Sequence, residues 1–377
     1  MTRFRVLHCQ RVISNGGVER QRGWLIQGLP PDRFTHRVVC SKLNAGEVAT
    51  CMSKREVDVT EVGETHSVLA PARYCRTARI IREWQPHIVH GAIIEGYTLA
   101  CVSRLLAKTP LVIMEETSAP TTRGWKAHLL TRTMAGIADH VIAVSPAVHD
   151  YLRGLGVSEN KLSLIVNGAR APRPVAPQER SAVRSRLGFK DEDVVVGCVC
   201  RIDDAVKRLS DLILAVTLLA EEFPHLRLLV VGDGPDLRKL TQEVAASPVI
   251  ADRVVFVGGK EDVAPFYAQM DVFALASATE SFGLVLAEAM CCGLPVVATR
   301  VGGIPSVVEE GKTGVLVPPR SPHALADGIR LLLVDPDLRL KLGVAGRLRY
   351  RERFTEERYV AEVEELYERL LCESGLA

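Results

Sequence analysis

Hydrophobic and polar positions follow the same alternation from one end of this chain to the other. Short runs rich in Val, Ile and Leu predict buried strands, and the longer segments between them have apolar residues at helical spacing. The predicted strands of the first half are 5–9, 36–40, 87–90, 111–114, 140–144 and 162–166. Those of the second half are 194–200, 226–231, 254–257, 272–275 and 295–298. Such alternation predicts α/β layers in which helices cover both faces of parallel sheets.

The pattern divides the chain into two predicted domains. Its 377 residues, 47% of them hydrophobic, supply enough apolar material for two cores. A proline-rich stretch at 171–178 has the composition of an extended linker. We therefore predict one Rossmann-like domain at 1–170 and a second at 179–354. The tail at 355–377 also has helical periodicity, and the sequence alone permits it to pack on either domain.

Composition argues against several classes of protein. No apolar run reaches the roughly 18 residues that a membrane-spanning helix needs, and the first strand is too short for a signal peptide, which predicts a cytoplasmic protein. The ten cysteines form no CxxC pair and no Cys/His metal spacing, so we expect reduced core residues. Aromatic residues make up only 5% of the chain and no nucleic-acid-binding module is present, which argues against a nucleic-acid partner.

Charge is distributed unevenly between the two halves. Residues 1–170 contain 22 Lys and Arg against 14 Asp and Glu, a formal charge of +8, whereas the remainder has −6. A basic half favours an anionic acceptor or an anionic membrane surface, and a solvated basic surface without a partner is the alternative. The segment 124–136 could present Trp125, Leu129 and Leu130 to a membrane, with Arg123, Lys126 and Arg132 on its polar side, or could be an ordinary helix packed on the sheet.

Two carboxylates form the most informative motif. Glu280 and Glu288 stand eight positions apart, the first on a loop after a strand and the second inside the following helix. At 1.5 Å per residue they span at most about 12 Å, roughly the reach from the sugar ring to the ribose of a nucleotide diphosphate sugar. One carboxylate could accept from sugar hydroxyls and the other from ribose hydroxyls. The ordinary alternative is a helix N-terminal charge and an unrelated helix residue.

Other candidate anion-binding groups surround this motif. The helix that follows Glu280 begins with free amides suited to a diphosphate, at Ser281, Phe282, Gly283 and Leu284. Arg201 follows the first strand of the second half, where ligands lodge in doubly wound sheets, and Lys207 follows it on the same loop. Two cations there would neutralise a departing diphosphate, although surface charges on a loop look the same in sequence. Gly16 and Gly17 open a helix after the first strand and would let a phosphate or sugar approach, or would form only a turn.

These passages resemble the E-x7-E signature of GT-B glycosyltransferases, specifically the retaining family GT4. The resemblance continues through 293–303 and 311–317, covers nearly the whole chain and is strongest at 195–320. It implies two Rossmann-like domains facing across a cleft, the N-terminal one on the acceptor side, with the last helix, 355–377, returning to it. The implied reaction moves a hexosyl or N-acetylhexosaminyl group from a nucleotide diphosphate sugar, with a UDP-sugar as the expected donor, and retains the anomeric configuration. The acceptor would be a sugar, a lipid-linked glycan or a small molecule.

The resemblance also implies roles for individual residues. Arg201 and Lys207 match the diphosphate clamp and, with Glu280, are the expected catalytic residues; the spacing is one residue longer than the common pattern, which leaves Arg208 as the alternative to Lys207. The loop with Gly16 and Gly17 would border the diphosphate. The turn containing Gly258, Lys260 and Val263 would hold the nucleobase. Arg201 and Lys207 can supply the electrostatic stabilisation, so neither a metal nor another cofactor is expected.

The chain departs from the family where a strand ends at Glu115 and Glu116. Many GT4 enzymes have a His there that contacts the donor sugar, and Glu116 falls near that position. Glu116, Thr117 and His90 are therefore candidates for contacting the sugar or the acceptor, and for His90 a buried role is the alternative. Two rival functions stay open: a nucleotide-sugar 2-epimerase of GT-B architecture, and a non-catalytic sugar-nucleotide-binding subunit.

Overall fold

A computed structural model describes residues 3–14, 16–44, 46–63, 71–109, 111–118 and 124–376. It forms two compact units. The N-terminal unit comprises the residues up to Gly168 together with those from Glu356 onward, and the C-terminal unit comprises Ala169–Thr355.

The N-terminal unit is built around one parallel sheet of seven strands in the order β3-β2-β1-β4-β5-β6-β7. Its strands are β1 Phe4–Ile13, β2 Phe34–Leu43, β3 Asp58–Glu61, β4 Ile88–Ala92, β5 Leu111–Glu116, β6 His140–Ala143 and β7 Leu162–Leu164. Its first helices are α1 Gly17–Gly28, α2 Glu47–Lys54, α3 Pro71–Trp84, α4 Ile93–Leu106, α5 Trp125–Ile137 and α6 Pro146–Gly154.

The C-terminal unit has a parallel sheet of six strands in the order β10-β9-β8-β11-β12-β13. Its strands are β8 Val194–Val199, β9 Leu226–Val231, β10 Val254–Phe256, β11 Val272–Leu275, β12 Val296–Thr299 and β13 Gly314–Val317. Its helices are α7 Pro177–Arg186, α8 Asp204–Lys207, α9 Leu209–Leu219, α10 Leu237–Ala245, α11 Ala264–Tyr267, α12 Leu284–Cys291, α13 Ile304–Val307, α14 Pro322–Val334 and α15 Pro336–Arg353.

The last helix, α16 Glu356–Glu373, belongs to the N-terminal unit. Its buried face includes Tyr359, Val363 and Tyr367, which lie in one apolar cluster with Val6 of β1 and Ile113 of β5. The helical periodicity of the tail therefore corresponds to a face that is buried against the N-terminal sheet.

Two parallel Rossmann-like sheets confirm the predicted fold class. The pattern missed β3 because that edge strand is half exposed and has the polar sequence Asp-Val-Thr-Glu, and it missed β13, which begins with a glycine. It also extended the linker too far, since α7 begins at Pro177, inside the predicted 171–178 segment. None of the described helices is long and apolar enough to span a bilayer.

Candidate functional site

The order of strands in the C-terminal sheet creates a switch point between β8 and β11. From β8 the chain adds β9 and β10 on one side of the sheet, and from β11 it adds β12 and β13 on the other side. The connections that leave β8 and β11 therefore diverge and open a crevice at the carboxyl ends of these two strands, where doubly wound sheets bind ligands. Arg201 comes two residues after β8, and Glu280 is on the loop between β11 and α12. The fold therefore places the two predicted site loops beside each other.

Lys207 and Glu280 form an ion pair in this crevice. Lys207 Nζ lies 2.5 Å from Glu280 Oε2, and the two side chains are 20% and 15% exposed. Burial disfavours the charge on Lys207, but the neighbouring Glu280 carboxylate outweighs that effect and raises the Lys207 pKa. Arg201 is exposed on the loop between β8 and α8, the short helix that ends at Lys207, and among the described residues no hydrogen bond or ion pair joins Arg201 to Lys207 or Glu280. The structure thus brings together two of the three expected catalytic residues.

The geometry distinguishes Lys207 from Arg208. Arg208 has the left-handed backbone conformation, with φ of 49°, where the short helix α8 gives way to α9. Its guanidinium makes two hydrogen bonds to Asp211, of 3.0 and 2.6 Å. Arg208 is therefore engaged along α9, while Lys207 is the residue that faces Glu280.

Main-chain contacts hold the two loops in place. Ala278 N donates to Val206 O at 2.8 Å, which ties the Glu280 loop to α8. Asp204 supports α8 from the other side, because its amide donates to Asp236 and its carboxylate accepts from Ser210. The sequence analysis did not identify Asp204 or Asp236, since neither belongs to a recognised motif.

Glycines on the neighbouring loops let the backbones pack this closely. A Cβ on Gly302 would lie 1.8 Å from Glu280 O, and Gly303 N donates to that same oxygen at 3.0 Å. A Cβ on Gly232 would likewise lie 1.8 Å from the carbonyl oxygen of Cys200, the residue before Arg201. These glycines support the site without presenting a side chain to it.

The start of α12 has the geometry expected of an anion site. Gly283 precedes the helix in the left-handed conformation, with φ of 96°, and Leu284 is its first residue. Phe282 is buried and its ring packs against Phe354, with 5.6 Å between centroids, which anchors the loop. Ser281 is partly exposed. The first-turn amides have no acceptors within the helix and are oriented toward its N-terminus.

Glu288 lies on the buried face of α12. It is 1% exposed, and Tyr267 donates its hydroxyl hydrogen to Glu288 Oε2 at 2.9 Å. Tyr267 ends α11, which directly follows Val263. Glu288 is thereby connected to the turn expected to hold a nucleobase. The sequence analysis missed Tyr267, although it stands only four positions after Val263.

That turn is well organised in the structure. Gly258 has a positive φ of 72°, and its carbonyl accepts from Gly232 N at 3.0 Å. Asp262 accepts from Ala264 N at 3.1 Å and from Arg173 at 2.8 Å. Lys260 is exposed and Val263 is partly buried. The turn stays available to a ligand while its backbone is held from both ends.

In the N-terminal unit, the Gly16-Gly17 pair occupies the predicted position. Gly16 caps α1 and Gly17 is its first residue, after β1 at the switch point between β1 and β4. Arg20 N donates to Gly16 O at 2.9 Å, which closes the first helical turn. The pair therefore forms a helix N-terminus at the carboxyl edge of this sheet.

His90 is not placed where a substrate could contact it. It is fully buried, and its ring nitrogens lie 2.6 Å from the Tyr367 hydroxyl and 3.0 Å from Glu115 Oε2. Arg22 completes the group, 2.7 Å from that same Glu115 oxygen. Of the two interpretations of His90, the structure therefore favours the buried role, in a network that joins α1, β4, β5 and α16.

Burial and charge set the protonation of this network. Burial disfavours the Glu115 carboxylate, but Arg22 outweighs it and lowers the Glu115 pKa to about 2. Burial, with Arg22 nearby, lowers the pKa of His90 to about 4 and that of His8 well below its ordinary value. At neutral pH the network is thus an ion pair surrounded by neutral histidines.

Glu116 and Thr117 also differ from the sequence-based expectation. Glu116 is fully buried, and its carboxylate accepts from the Tyr97 hydroxyl, from Thr117 N and from Ser118, each at 3.1 Å. Thr117 is 9% exposed. The Glu116 carboxylate therefore holds the backbone at the end of β5 in place. It is buried and is not accessible to a sugar hydroxyl. A polar residue at the end of a strand looks the same in sequence whether it faces solvent or the core.

Family models match both units. Residues 16–168 match the glycosyl transferase 4-like domain, and residues 179–349 match glycosyl transferases group 1. The chain is 41% identical over 162 residues to N-acetyl-alpha-D-glucosaminyl L-malate synthase of Bacillus anthracis, an alignment that covers 43% of this chain and 42% of that protein. It is 38% identical over 180 residues to a GDP-mannose-dependent phosphatidylinositol monomannoside mannosyltransferase of Mycolicibacterium smegmatis, covering 45% and 46%. The chain thus spans less than half the length of each of these two relatives.

A solved structure matches the complete fold. The Anabaena protein Alr3699/HepE in complex with UDP superposes with a TM-score of 0.82 and 23% identity, over 97% of this chain and 100% of that one. At this identity the match shows the fold alone. The chain therefore combines a glycosyl transferase 4-like domain at residues 16–168 with a glycosyl transferases group 1 domain at residues 179–349, in a fold of GT-B type.

Proposed function

We propose that this chain transfers a sugar from a nucleotide diphosphate sugar to an acceptor hydroxyl, with retention of configuration. The observation that supports this most directly is the Lys207–Glu280 contact at the β8/β11 switch point, with Arg201 on the loop that leads from β8 to α8, the short helix ending at Lys207. A cation and a carboxylate in contact, beside a helix N-terminus, match the diphosphate and the sugar of such a donor.

The proposed mechanism needs electrostatic stabilisation more than proton transfer. Arg201 and Lys207 would neutralise the diphosphate as its bond to the sugar breaks, and the first amides of α12 would add hydrogen bonds to the same group. Glu280 would accept from the sugar hydroxyls and Glu288 from the ribose. The departing diphosphate would take the acceptor proton on the same face of the sugar, which needs neither a protein nucleophile nor a metal.

The donor and acceptor are proposed by class. The M. smegmatis relative is named for GDP-mannose, the B. anthracis relative for an N-acetylglucosaminyl product, and the Anabaena protein has been solved with UDP and with UDP-glucose. We propose a hexosyl or N-acetylhexosaminyl donor, with UDP-sugars as the first to test. The acceptor would be a sugar, a lipid-linked glycan or a small molecule.

A nucleotide-sugar panel tests this function. A ligand at 100 times its dissociation constant should raise the free energy of unfolding by about 2.7 kcal/mol, which a thermal shift would detect. Incubating the purified chain with the stabilising nucleotide sugar should then give free nucleoside diphosphate, by hydrolysis or by transfer to an added acceptor. Recovery of an epimerised donor would show a 2-epimerase instead. Binding with no turnover under any acceptor would favour a non-catalytic subunit.

A second proposal concerns where the enzyme works. We propose that it acts in the cytoplasm, at the inner face of an anionic membrane, because α5 exposes Trp125 by 70% and Leu129 by 55% beside the exposed Lys126 and Arg132. This face combines apolar side chains with positive charge, as an interfacial helix does. Leu130, expected at the same surface, instead packs partly buried against the core. Arg123 lies outside the described residues.

Vesicle binding tests the membrane proposal. The chain should sediment with phosphatidylglycerol vesicles but not with phosphatidylcholine vesicles, and added salt should release it. Trp125→Ser with Leu129→Ser should abolish sedimentation, whereas Leu340→Ser, which changes a 68% exposed leucine of the C-terminal unit, should not. Equal sedimentation of all variants, or none with either lipid, would reject membrane recruitment through α5.

A further inference from the structure

The Lys207–Glu280 pair is fixed on both sides by the main chain. Glu280 is held through its carbonyl by Gly303 N, and its loop is tied to Val206, the residue before Lys207. Lys207 N donates in turn to Asp203 O at 2.7 Å within the first turn of α8. The 2.5 Å contact therefore joins two anchored loops and is not a chance meeting of flexible surface chains.

This contact has a consequence for any anion that enters the crevice. A carboxylate in contact with the ammonium cancels much of its field, so Lys207 presents less positive charge to a diphosphate than an unpaired lysine would. The diphosphate would also lie close to the Glu280 carboxylate, and like charges repel. Both effects weaken the binding of an anion that has no hydroxyl group to donate a hydrogen bond to Glu280.

A sugar nucleotide and a free nucleoside diphosphate differ in that respect. The sugar brings hydroxyl groups that donate to the Glu280 carboxylate, which compensates the repulsion. The free nucleoside diphosphate brings no hydroxyl there, and its terminal phosphate, no longer esterified, carries more negative charge near neutral pH.

We infer that Glu280 makes this site discriminate a sugar nucleotide from the nucleoside diphosphate left after transfer, by pairing with Lys207 when no sugar engages it and by repelling a diphosphate that carries no sugar. The inference rests on the proposed function of this site as the donor site. Its functional meaning is product release: the residue that holds the donor sugar also weakens the hold on the product once that sugar has gone.

Calorimetric titration of Glu280→Gln tests the inference. The probes are UDP with UDP-glucose, and GDP with GDP-mannose, and the pair that binds the wild type is used for all variants. Glu280→Gln should bind the free nucleoside diphosphate about tenfold tighter than the wild type does, equivalent to about 1.4 kcal/mol. Its affinity for the sugar nucleotide should rise less or fall, so the preference for the sugar nucleotide should shrink.

Two further variants separate charge pairing from general effects. The double variant Glu280→Gln/Lys207→Met should not show the tighter binding of the nucleoside diphosphate, because it has no lysine that the loss of Glu280 could free to contact the ligand. Glu222→Gln removes one carboxylate from an ion pair with Arg330, ahead of β9 and away from the crevice, and should leave both affinities unchanged. If Glu280→Gln does not fold, Glu280→Asp, which keeps the charge but draws it back from Lys207, should show a smaller gain in the same direction.

The possible failures are distinct. If folded Glu280→Gln binds the nucleoside diphosphate no better than the wild type and only loses sugar-nucleotide affinity, the inference is wrong and the donor-site proposal stands. If the wild type binds neither member of either pair, the proposed function itself is wrong for these donors, and the inference is rejected with it.

Discussion

Two carboxylate–cation pairs, Arg22–Glu115 in the N-terminal unit and Lys207–Glu280 in the C-terminal unit, each link separate elements of the fold, and they differ in burial, in surroundings and in the kind of cation. Arg22 and Glu115 are 1% and 2% exposed, and the pair is surrounded by histidines and tyrosines. Lys207 and Glu280 are 20% and 15% exposed and lie at the carboxyl ends of two strands. A pair sealed from solvent acts on the fold, whereas a pair open to solvent can exchange its partners for a ligand.

The difference also appears in the choice of cation. Arg22 extends across the sheet to contact His8, His90 and Glu115, which a planar guanidinium with several donors can do. Lys207 has a compact ammonium group that makes one short contact with Glu280. Each cation therefore suits its surroundings, because the guanidinium satisfies many fixed partners at once, whereas the ammonium would be able to turn toward the diphosphate of the proposed donor.

The largest effect on stability should come from breaking the buried pair. Glu115→Ala leaves the Arg22 charge buried without its carboxylate, so the free energy of unfolding of the N-terminal unit should fall by about 3–5 kcal/mol. Urea unfolding followed by tryptophan fluorescence measures this unit selectively, because the three tryptophans, Trp24, Trp84 and Trp125, all belong to it.

The matched change in the open pair is Glu280→Ala, for which we expect a much smaller loss because Lys207 can be solvated. Circular dichroism melting of the whole chain, which also follows the C-terminal unit, gives that comparison. Equal losses for the two variants would show that exposure does not separate the pairs.

Substitutions of the cations near the exposed pair should have the opposite pattern, with a large effect on the transfer rate and a small effect on stability. Lys207→Ala and Arg201→Ala should each lower the transfer rate about 10²–10³-fold while melting stays close to the wild type, because both cations act on charge that develops during the reaction. Steady-state kinetics with a saturating donor measures this.

Arg208→Ala is the control, since Arg208 is paired with Asp211 along α9. If Arg208→Ala loses turnover and Lys207→Ala keeps it, the clamp has been assigned one residue too early. If all three variants stay near the wild-type rate, there is no cationic clamp.

Acid should weaken the sealed pair's surroundings before it affects the pair. Burial, followed by nearby arginines, lowers the pKa of His36 and of His90 to about 4, whereas an unfolded histidine titrates near 6.5. Below pH 6.5 the unfolded chain takes up a proton at each histidine that the folded unit refuses. The contribution of these histidines to the free energy of unfolding is therefore fully present above pH 6.5. It falls toward pH 4, by up to about 1.4 kcal/mol per pH unit for each histidine.

Glu115 adds a separate, lower window. Its folded pKa of about 2 lies below its ordinary value, so its contribution is present above pH 4.5 and is lost as the pH falls toward 2. Urea midpoints at pH 7.5, 6.5, 5.5 and 4.5 should show the histidine slope, and His90→Asn should reduce that slope by up to one proton. A flat profile over this range would mean that these histidines titrate alike in the folded and unfolded chains.

The two pairs were not equally visible in the sequence. Glu280 and Glu288 belong to one local segment, and Arg201 follows a clear apolar strand, so local spacing identifies them as candidates and the family resemblance assigns their roles. The choice between Lys207 and Arg208 was not accessible, because it depends on one left-handed residue at Arg208. Apolar runs predict most strands of the two sheets, but they do not reveal β3, the partly polar edge strand of the N-terminal sheet.

The sealed network was invisible for a different reason. Arg22 and Glu115 are 93 positions apart, and His90 and Tyr367 are 277 apart, so no local pattern connects them. The sequence places His90 and Glu116 only at strand ends, and Glu116 also near the position of a His in the family, and neither observation reveals which face of the sheet a side chain occupies. Close backbone packing, as at Gly302 against Glu280, likewise depends on contacts between distant segments.

The smallest effect should come from Glu288, which combines features of both pairs: it is buried like Glu115 but belongs to the open site. Glu288→Gln should weaken binding of the free nucleoside diphosphate about tenfold through a lost charged contact to the ribose, about 1.4 kcal/mol, and should weaken binding of the sugar nucleotide similarly. Tyr267→Phe, which removes the hydroxyl that holds Glu288 but keeps its charge, should cost less. Calorimetric titration with both ligands separates Glu288 from Glu280, whose substitution should act on the two ligands unequally. Identical losses for both ligands in both variants would mean that the two carboxylates do not divide the donor between ribose and sugar.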